Sequence, residues 1–401
     1  MTDVAHQHQG NTPSWAEARR TSFESAAPLP AENVPLYEAV GRLLASDVVA
    51  LYDIPHFASS AMDGWAVSGD GPWTIVASPV VSLAAGEATA IVTGAPVPPG
   101  SRGVLRSESG ELRDGRLVLG ARAAQGEPSD GQHLRAIGEE ASAGEIVVRA
   151  GATLNPAHVA VIAGCGHDVV AVATEPRVSL VFTGSEVVES GVPGPGQVRD
   201  SFGPQLPAFV RMLGGRITGT RRIGDDLAET VAALAEAAAT SDLVITTGGT
   251  GNSPVDHLRA ALAALGGELV IERIAMRPGS PTLLARLPYG RFVVGLPGNP
   301  LAAMMGMLTV VHPLLAALRG SPAPPLGAVR SSGEIGGRPG TTMLMPYRLD
   351  GLLARPNPWT GSGMMRGLAD AAGVLVVPPE GVRAGEFAET LPLPWVQRLA
   401  T

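Results

Sequence analysis

Between Arg177 and Leu318 short apolar runs alternate with longer stretches of helical periodicity, and this alternation narrows the possible folds more than any other feature. Val178–Thr183 reads as a strand, Gln205–Leu213 as a helix, Arg216–Ile223 as a strand and Leu227–Ala239 as a helix. Leu243–Thr246 is a further strand, followed by a helix to Leu265 and strands near Leu269–Ile274 and Phe292–Leu296. The apolar stretch from Leu301 to Leu318 closes the series. Strands separated by helix-length segments pair in parallel, so the pattern predicts a doubly wound α/β domain with ligands at the C-terminal strand ends.

Those strand ends carry candidate chemistry. Gly248, Gly249, Thr250 and Gly251 form a turn whose backbone N–H groups, ahead of a helix expected to resume near Val255, suit a phosphate or other oxyanion. Asp256 offers a carboxylate where a metal on that phosphate would sit. Thr183-Gly184-Ser185-Glu186 places another carboxylate after the first strand, and Arg277-Pro278-Gly279-Ser280-Pro281 follows a later one. Gly295-Leu296-Pro297-Gly298-Asn299-Pro300 leads into the long helix. Each alone reads more readily as a turn, a cap or a Pro-Gly corner. Together they favour a crevice for a phosphorylated ligand, with Glu186 and Asp256 suited to Mg²⁺ and Arg277 to an anion.

Outside this region the 51 glycines and 35 prolines punctuate apolar segments and indicate β-rich structure with many turns. Residues 1–12 read as a disordered tail, and Thr12-Pro13-Ser14 starts a helix with proline in its first turn. A helix-like pattern lies around Leu36–Leu44, then a β-rich stretch from about Val48 to Val148. Within it, Asp53–Ala66 and Thr93–Pro98 weigh evenly as structural turns or as parts of a site. After the proline-rich Ser321–Gly327 linker, short strand-like pieces suggest a small C-terminal β domain. The fold class is therefore multidomain α/β plus β.

The 29 basic and 37 acidic residues give a net charge of −8, which argues against nucleic-acid or anionic-membrane binding, so any anion site is local. All 29 basic residues are arginine, which excludes a Schiff-base lysine, a pyridoxal-phosphate enzyme and a Walker-A loop. Cys165 is the single cysteine, so no intrachain disulfide forms. Leu301–Leu318 is interrupted by Gly306, His312 and Pro313, which favours a buried helix over a membrane span. With no apolar signal segment among Met1–Asn11, the expected compartment is the cytoplasm. His257 reads as a support for the site or as a solvent-facing helix residue.

With these residues in view, the chain resembles the molybdopterin molybdenumtransferase family, the MoeA proteins and the gephyrin E domain. The resemblance rests on Asp53-x-Pro55-x-Phe57 with Ser60–Ala66, on Thr93–Pro98, and on Arg135-x-x-Gly138-Glu139-Glu140. Thr183-Gly184-x-Glu186, Gly248-Gly249 through Asp256, and Gly295–Pro300 extend it. It implies a linker or dimerisation domain (13–50 with 137–176), a β-rich domain (51–136), a MogA/MoaB-like α/β domain (177–320) and a C-terminal β domain (321–401). It implies a homodimer with an intersubunit site that converts adenylated molybdopterin and molybdate to molybdenum cofactor and AMP, with Mg²⁺. Under it, Asp63 and Thr93 reach across from the partner subunit, Glu186 and Asp256 serve the metal, and Gly248–Gly251 cradle phosphate. Arg273, Arg277, Ser280, Gly298, Asn299 and Ser362 fall at the remaining substrate positions.

The chain also departs from the family pattern. Arg277-Pro278-Gly279-Ser280-Pro281 stands for Lys-Pro-Gly-Lys-Pro, and Arg273 for an upstream lysine, so a cation is lost at Ser280. Leu301-Ala302 replaces Val-Ser, Ser185 an aspartate and Phe202 an asparagine. The C-terminal Gly-Arg-x-x-Phe-x-Arg aligns on Gly340 with no arginine in register unless Arg348 substitutes, while Gly361-Ser362-Gly363 persists. Two other readings stand beside this one: a non-catalytic paralogue that binds molybdopterin nucleotide or a partner protein, which fits these departures, and a molybdopterin adenylyltransferase, which fits the closer likeness of Thr246-Thr247-Gly248-Gly249-Thr250-Gly251 to the MogA/MoaB form of the loop.

Overall fold

Six strands form the sheet of the α/β region, in the order Arg216–Ile223, Arg177–Thr183, Leu243–Thr247, Arg291–Leu296, Leu283–Leu287, Glu268–Ile271. The computed structural model describes residues 12–251 and 256–396. Leu243–Thr247 is buried throughout, as a central strand covered on both faces must be. Its side chains alternate between two cores. Leu180, Ile245 and Val294 face one, and Val181, Val244 and Val293 face the other.

The first four strands are parallel, as the alternation requires. The last two are antiparallel, and Leu283–Leu287 is a strand that the periodicity did not separate from its neighbours. Pro288–Gly290 is the whole connection to the next strand, too short for a parallel crossover. Tyr289 takes a φ of 64° to close that turn.

The apolar segment Pro300–Leu318 is almost wholly buried inside the protein, so it is a core helix. Its middle, Met307–Val311, is π-helical, which leaves carbonyls outside the regular ladder. The Trp15–Glu24 helix reaches them: Arg19 donates to Leu308 O at 3.0 Å and Ser22 to Val310 O at 2.7 Å. Trp15 Nε1 donates to Thr309 Oγ1 at 3.0 Å. Ser14 caps this helix in a box with Glu17, so Pro13 lies ahead of the cap and not in the first turn.

In the C-terminal domain Thr342–Asp350 is the hub strand. It pairs antiparallel with Leu353–Pro356 and Gly373–Val377 and, in parallel, with the two residues Met276–Arg277. That last pairing ties the domain to a loop of the α/β region.

Ala31–Ala173 forms a separate unit. A six-stranded sheet ordered Gly103–Arg106, Gly64–Val67, Glu87–Ile91, Trp73–Ile75, Arg116–Leu119, Gly110–Arg113 encloses Val67, Trp73 and Leu105. The Pro156–Gly164 helix packs Ile162 with Val34, Leu44 and Val172. The helix expected around Leu36–Leu44 is only a 3₁₀ turn, Leu36–Glu38. Gly41, at φ 84°, turns the chain, and Leu43 and Leu44 enter β-bridges with Thr153 and Val172. Tertiary pairing overrides the local period there.

Candidate functional site

A cavity of about 390 Å³ lies where the Arg277–Pro281 loop, the start of the Pro300–Gly306 helix and the C-terminal domain meet. Arg277, Ser280, Asn299 and Ser362 line it, so these sequence-predicted residues are brought together. Local reasons hold each one. Arg277 is in register with Met343 of the hub strand, and Ser280 O accepts from Ile274 N at 2.9 Å to close its loop. Gly279 has φ 111°, and a Cβ there would fall 2.7 Å from Met276 Cε, so the loop requires glycine. Asn299 N-caps the helix with its backbone alone, which leaves its amide for the cavity. Ala302 N donates to Ser362 O at 3.1 Å and stitches the C-terminal loop to the helix start.

Arg338 and Thr341 also line this cavity, and the sequence reading missed both. Arg348, considered as the substitute arginine, is exposed on the hub strand opposite Arg355 and does not reach the cavity. The overlooked signal was Gly337-Arg338, a few residues ahead of the register that had been aligned on Gly340. Arg273 is exposed beyond its strand and is not among the lining residues. No carboxylate lines the cavity, and the Arg277 and Arg338 side chains have no hydrogen bond or ion pair among the described residues. Two guanidinium groups, the hydroxyls of Ser280, Thr341 and Ser362 and the Asn299 amide in one concavity make an oxyanion receptor.

The glycine turn is built on the adjacent strand ends. Gly248 and Gly249 have φ of 84° and 64°. Gly248 N donates to Leu296 O at 2.9 Å, and Thr183 Oγ1 donates to Thr247 O at 2.7 Å. A Cβ on Gly248 would lie 2.5 Å from Thr183 Oγ1, and one on Gly298 would lie 3.8 Å from Gly248 Cα. The strand-end loops carrying Thr183, Gly248 and Gly298 are thus packed backbone to backbone. Thr250 is 4% exposed, with its methyl facing Gly295. The helix expected near Val255 lies outside the described residues. The described helix is Leu258–Ala264, and its first amides stand close to the turn: a Cβ on Gly249 would lie 3.9 Å from Leu258 N and 4.0 Å from His257 N.

Glu186 Oε2 and Asp256 Oδ2 each reach back over their own loop, lying 2.8 Å and 2.7 Å from where a Cβ would stand on Gly184 and Gly251. Asp225, which the sequence reading did not single out, accepts from Ser185 N at 3.1 Å and joins these loops. Its signal was the Gly224-Asp225-Asp226 run straight after a strand. Among the described residues no group of three or more His, Cys, Asp or Glu side chains forms a metal cage. Beneath the turn, Thr183, Asp225, Thr246, Gly248 and His257 line a crevice of about 10 Å³. Thr246 Oγ1 is buried there with no partner among the described residues, a group that a single water would satisfy.

Asp63 and Thr93 meet in the Ala31–Ala173 unit. Thr93 donates to Asp63 Oδ1 from its backbone N at 2.7 Å and from Oγ1 at 2.8 Å. The backbone bond, then the hydroxyl, holds the Asp63 carboxyl below its ordinary pKa, so it stays ionised.

Residues 13–166 match the family model for the MoeA N-terminal region, domains I and II. Residues 179–317 match the probable molybdopterin binding domain, and 329–393 the MoeA C-terminal region, domain IV. The chain is 32% identical to molybdopterin molybdenumtransferase of Staphylococcus aureus over 324 residues, which is 76% of this chain and 75% of that protein. It is 36% identical to molybdopterin molybdenumtransferase 2 of Mycobacterium tuberculosis over 313 residues, covering 73% and 76%. The crystal structure of the molybdopterin biosynthesis MoeA protein from Pyrococcus horikoshii superposes with a TM-score of 0.79 at 26% identity, over 95% of this chain and 99% of that one.

Proposed function

Since the chain belongs to the MoeA family of molybdopterin molybdenumtransferases, enzymes of molybdenum cofactor biosynthesis, we propose that it inserts molybdate into adenylated molybdopterin and releases AMP. The observation that carries this reading is the 390 Å³ cavity, free of carboxylates, in which Arg277, Arg338, Asn299 and Ser362 converge. It lies beside the strand end on which the Gly248–Gly249 turn is hung. Molybdate sits in the cavity, gripped by the two guanidinium groups, and the nucleotide phosphates lie along Gly248–Gly251. Ser280 and Ala302 line the oxyanion side without adding charge.

The reaction breaks a phosphoanhydride and delivers an oxyanion to a dithiolene, so the protein's work is positioning and charge screening. Mg²⁺ would supply the screening. It takes few protein carboxylates and fills its shell with phosphate oxygens and water, so Glu186, Asp225 and Asp256 suit it without forming a closed cage. A second copy of the chain supplies Asp63 and Thr93, which makes the working unit a homodimer. The protein acts in the cytoplasm, without nucleic acid or membrane.

Purified protein given adenylated molybdopterin, Mg²⁺ and graded molybdate should release AMP and form cofactor in step with molybdate. Tight nucleotide binding without AMP release at any molybdate level would sink the proposal in favour of a non-catalytic binder. Adenylation of molybdopterin by ATP would replace it with an adenylyltransferase.

A further inference from the structure

One loop of the C-terminal domain walls the oxyanion cavity with its middle and carries uncommitted recognition groups on either side of it. Thr360, Gly361 and Ser362 line the cavity, and a Cβ on Gly363 would lie 3.8 Å from Asn299 Oδ1. Just ahead of them stands Trp359, partly buried, with the Arg366 guanidinium 4.3 Å from its ring centroid. Just after them Met364, half-exposed, folds back over Gly361, its Sδ 3.1 Å from where a Cβ would stand there.

Local bonds fix this arrangement. Met364 N donates to Gly361 O at 2.8 Å and closes the loop tip. The buried Asn357 donates from Nδ2 to Gly367 O and from its backbone N to Pro346 O of the hub strand, which anchors both ends of the loop. Arg366 is exposed and has no hydrogen bond or ion pair among the described residues. Its guanidinium is thus backed by an indole while its donors stay open.

The chemistry of insertion decides what must stand beside such a loop. The dithiolene has to meet molybdate in the cavity, and the pterin is fused to the dithiolene through one ring. The pterin therefore has to lie at the cavity rim. A flat heterocycle with a carbonyl on its edge suits an indole-backed guanidinium, which offers a planar surface and N–H donors together. A thioether packs well against an aromatic ring. We propose that Trp359, Arg366 and Met364 form the platform that receives the pterin of the adenylated substrate, an inference that rests on the insertion reaction proposed above. The cavity then selects the metal oxyanion, and the platform selects its organic partner.

The test uses the full chain with methyl-labelled methionine and Mg²⁺, without molybdate. The Met364 methyl signal is assigned by its loss in Met364→Leu. Adenylated molybdopterin should shift it saturably, as the face of an aromatic ring does, whereas AMP, which lacks the pterin, should leave it in place. Arg366→Gln should weaken binding of adenylated molybdopterin about tenfold, the value of one charge-assisted hydrogen bond, and leave AMP binding unchanged. Arg366→Lys should lose most of the same factor, because an ammonium keeps the charge over the indole without the planar donor face. Full rescue by lysine, or equal weakening of AMP binding, would assign Arg366 to charge alone and overturn the platform. So would undiminished binding in an Arg366→Gln protein that still melts cooperatively. A chain that binds the substrate with this contrast and never releases AMP would sink the insertion reaction and leave the platform standing.

Discussion

The two ends of the central sheet treat charge in opposite ways. At the N-terminal end, Asp242 is 4% exposed and sits just before the central strand. It accepts from Arg177 N, Nε and Nη2 at 2.9, 3.2 and 3.0 Å and from Arg291 Nη1 at 2.6 Å. Both arginines begin the flanking strands, so the cluster locks three strand starts in register. At the C-terminal end the strands run into glycine turns, Thr246 Oγ1 is unsatisfied, and Arg277 and Arg338 have no partner among the described residues. Polar groups that satisfy one another hold the fold, and those left with capacity are available to a ligand.

Breaking the ligand end should have the largest effect. Arg277→Ala with Arg338→Ala should cut AMP release at limiting molybdate about a thousandfold, from two lost charge-assisted contacts at about 2 kcal/mol each. The melting curve should be unchanged. Activity within a few fold of the parent would remove the cavity from the reaction.

Breaking the structural end should do the reverse. Asp242→Ala should cost about 3 kcal/mol of stability, the low end for a broken buried pair because the arginines are about a third exposed. The molybdate dependence of the folded fraction should stay as it was. Burial alone would raise the Asp242 pKa, but the bonds from Arg177 and the charges of Arg177 and Arg291 outweigh it and lower the value. Its contribution is therefore full above the unfolded carboxyl pKa of about 3.9 and is lost as pH falls through the lower folded value. Denaturant midpoints of parent and Asp242→Asn protein should converge below about pH 4. A constant gap down to pH 2 would contradict the assigned ion triad.

Ser280→Lys sharpens the contrast by adding charge where none is present. It should lower the half-saturating molybdate concentration about tenfold, or about 1.4 kcal/mol. No change would mean that Ser280 lies too far from the anion. The smallest effect belongs to Thr93→Val, which removes the hydroxyl bond to Asp63 and keeps the backbone one. Turnover should fall about threefold, and the acid limb of the pH profile should move to higher pH as the Asp63 pKa rises. An acid limb that stays in place would show that Asp63 does not set it.

Much of this was legible along the chain. Arg216–Ile223 and Leu227–Thr240 follow their periods closely. The glycine turn, Asn299 and Ser362 were found as loop motifs. The antiparallel Leu283–Leu287 strand was not: it is an interior strand of only five residues, joined to the next by Pro288–Gly290 alone, too short a run to read apart from its neighbours. Arg338 was missed because Gly337 and Gly340, three residues apart, offer two registers for one motif, and nothing local chooses between them.

Local pattern decided which segments became strands and helices and which turns needed glycine, since periodicity and φ preference act over a few residues. The oxyanion cavity and the Asp242 cluster depended on contacts between segments far apart in sequence. Met276–Arg277 beside Thr342–Met343 is the plainest case. A two-residue bridge has no period to read, yet it brings Arg277 and Arg338 to one cavity, and only the folded chain supplies it.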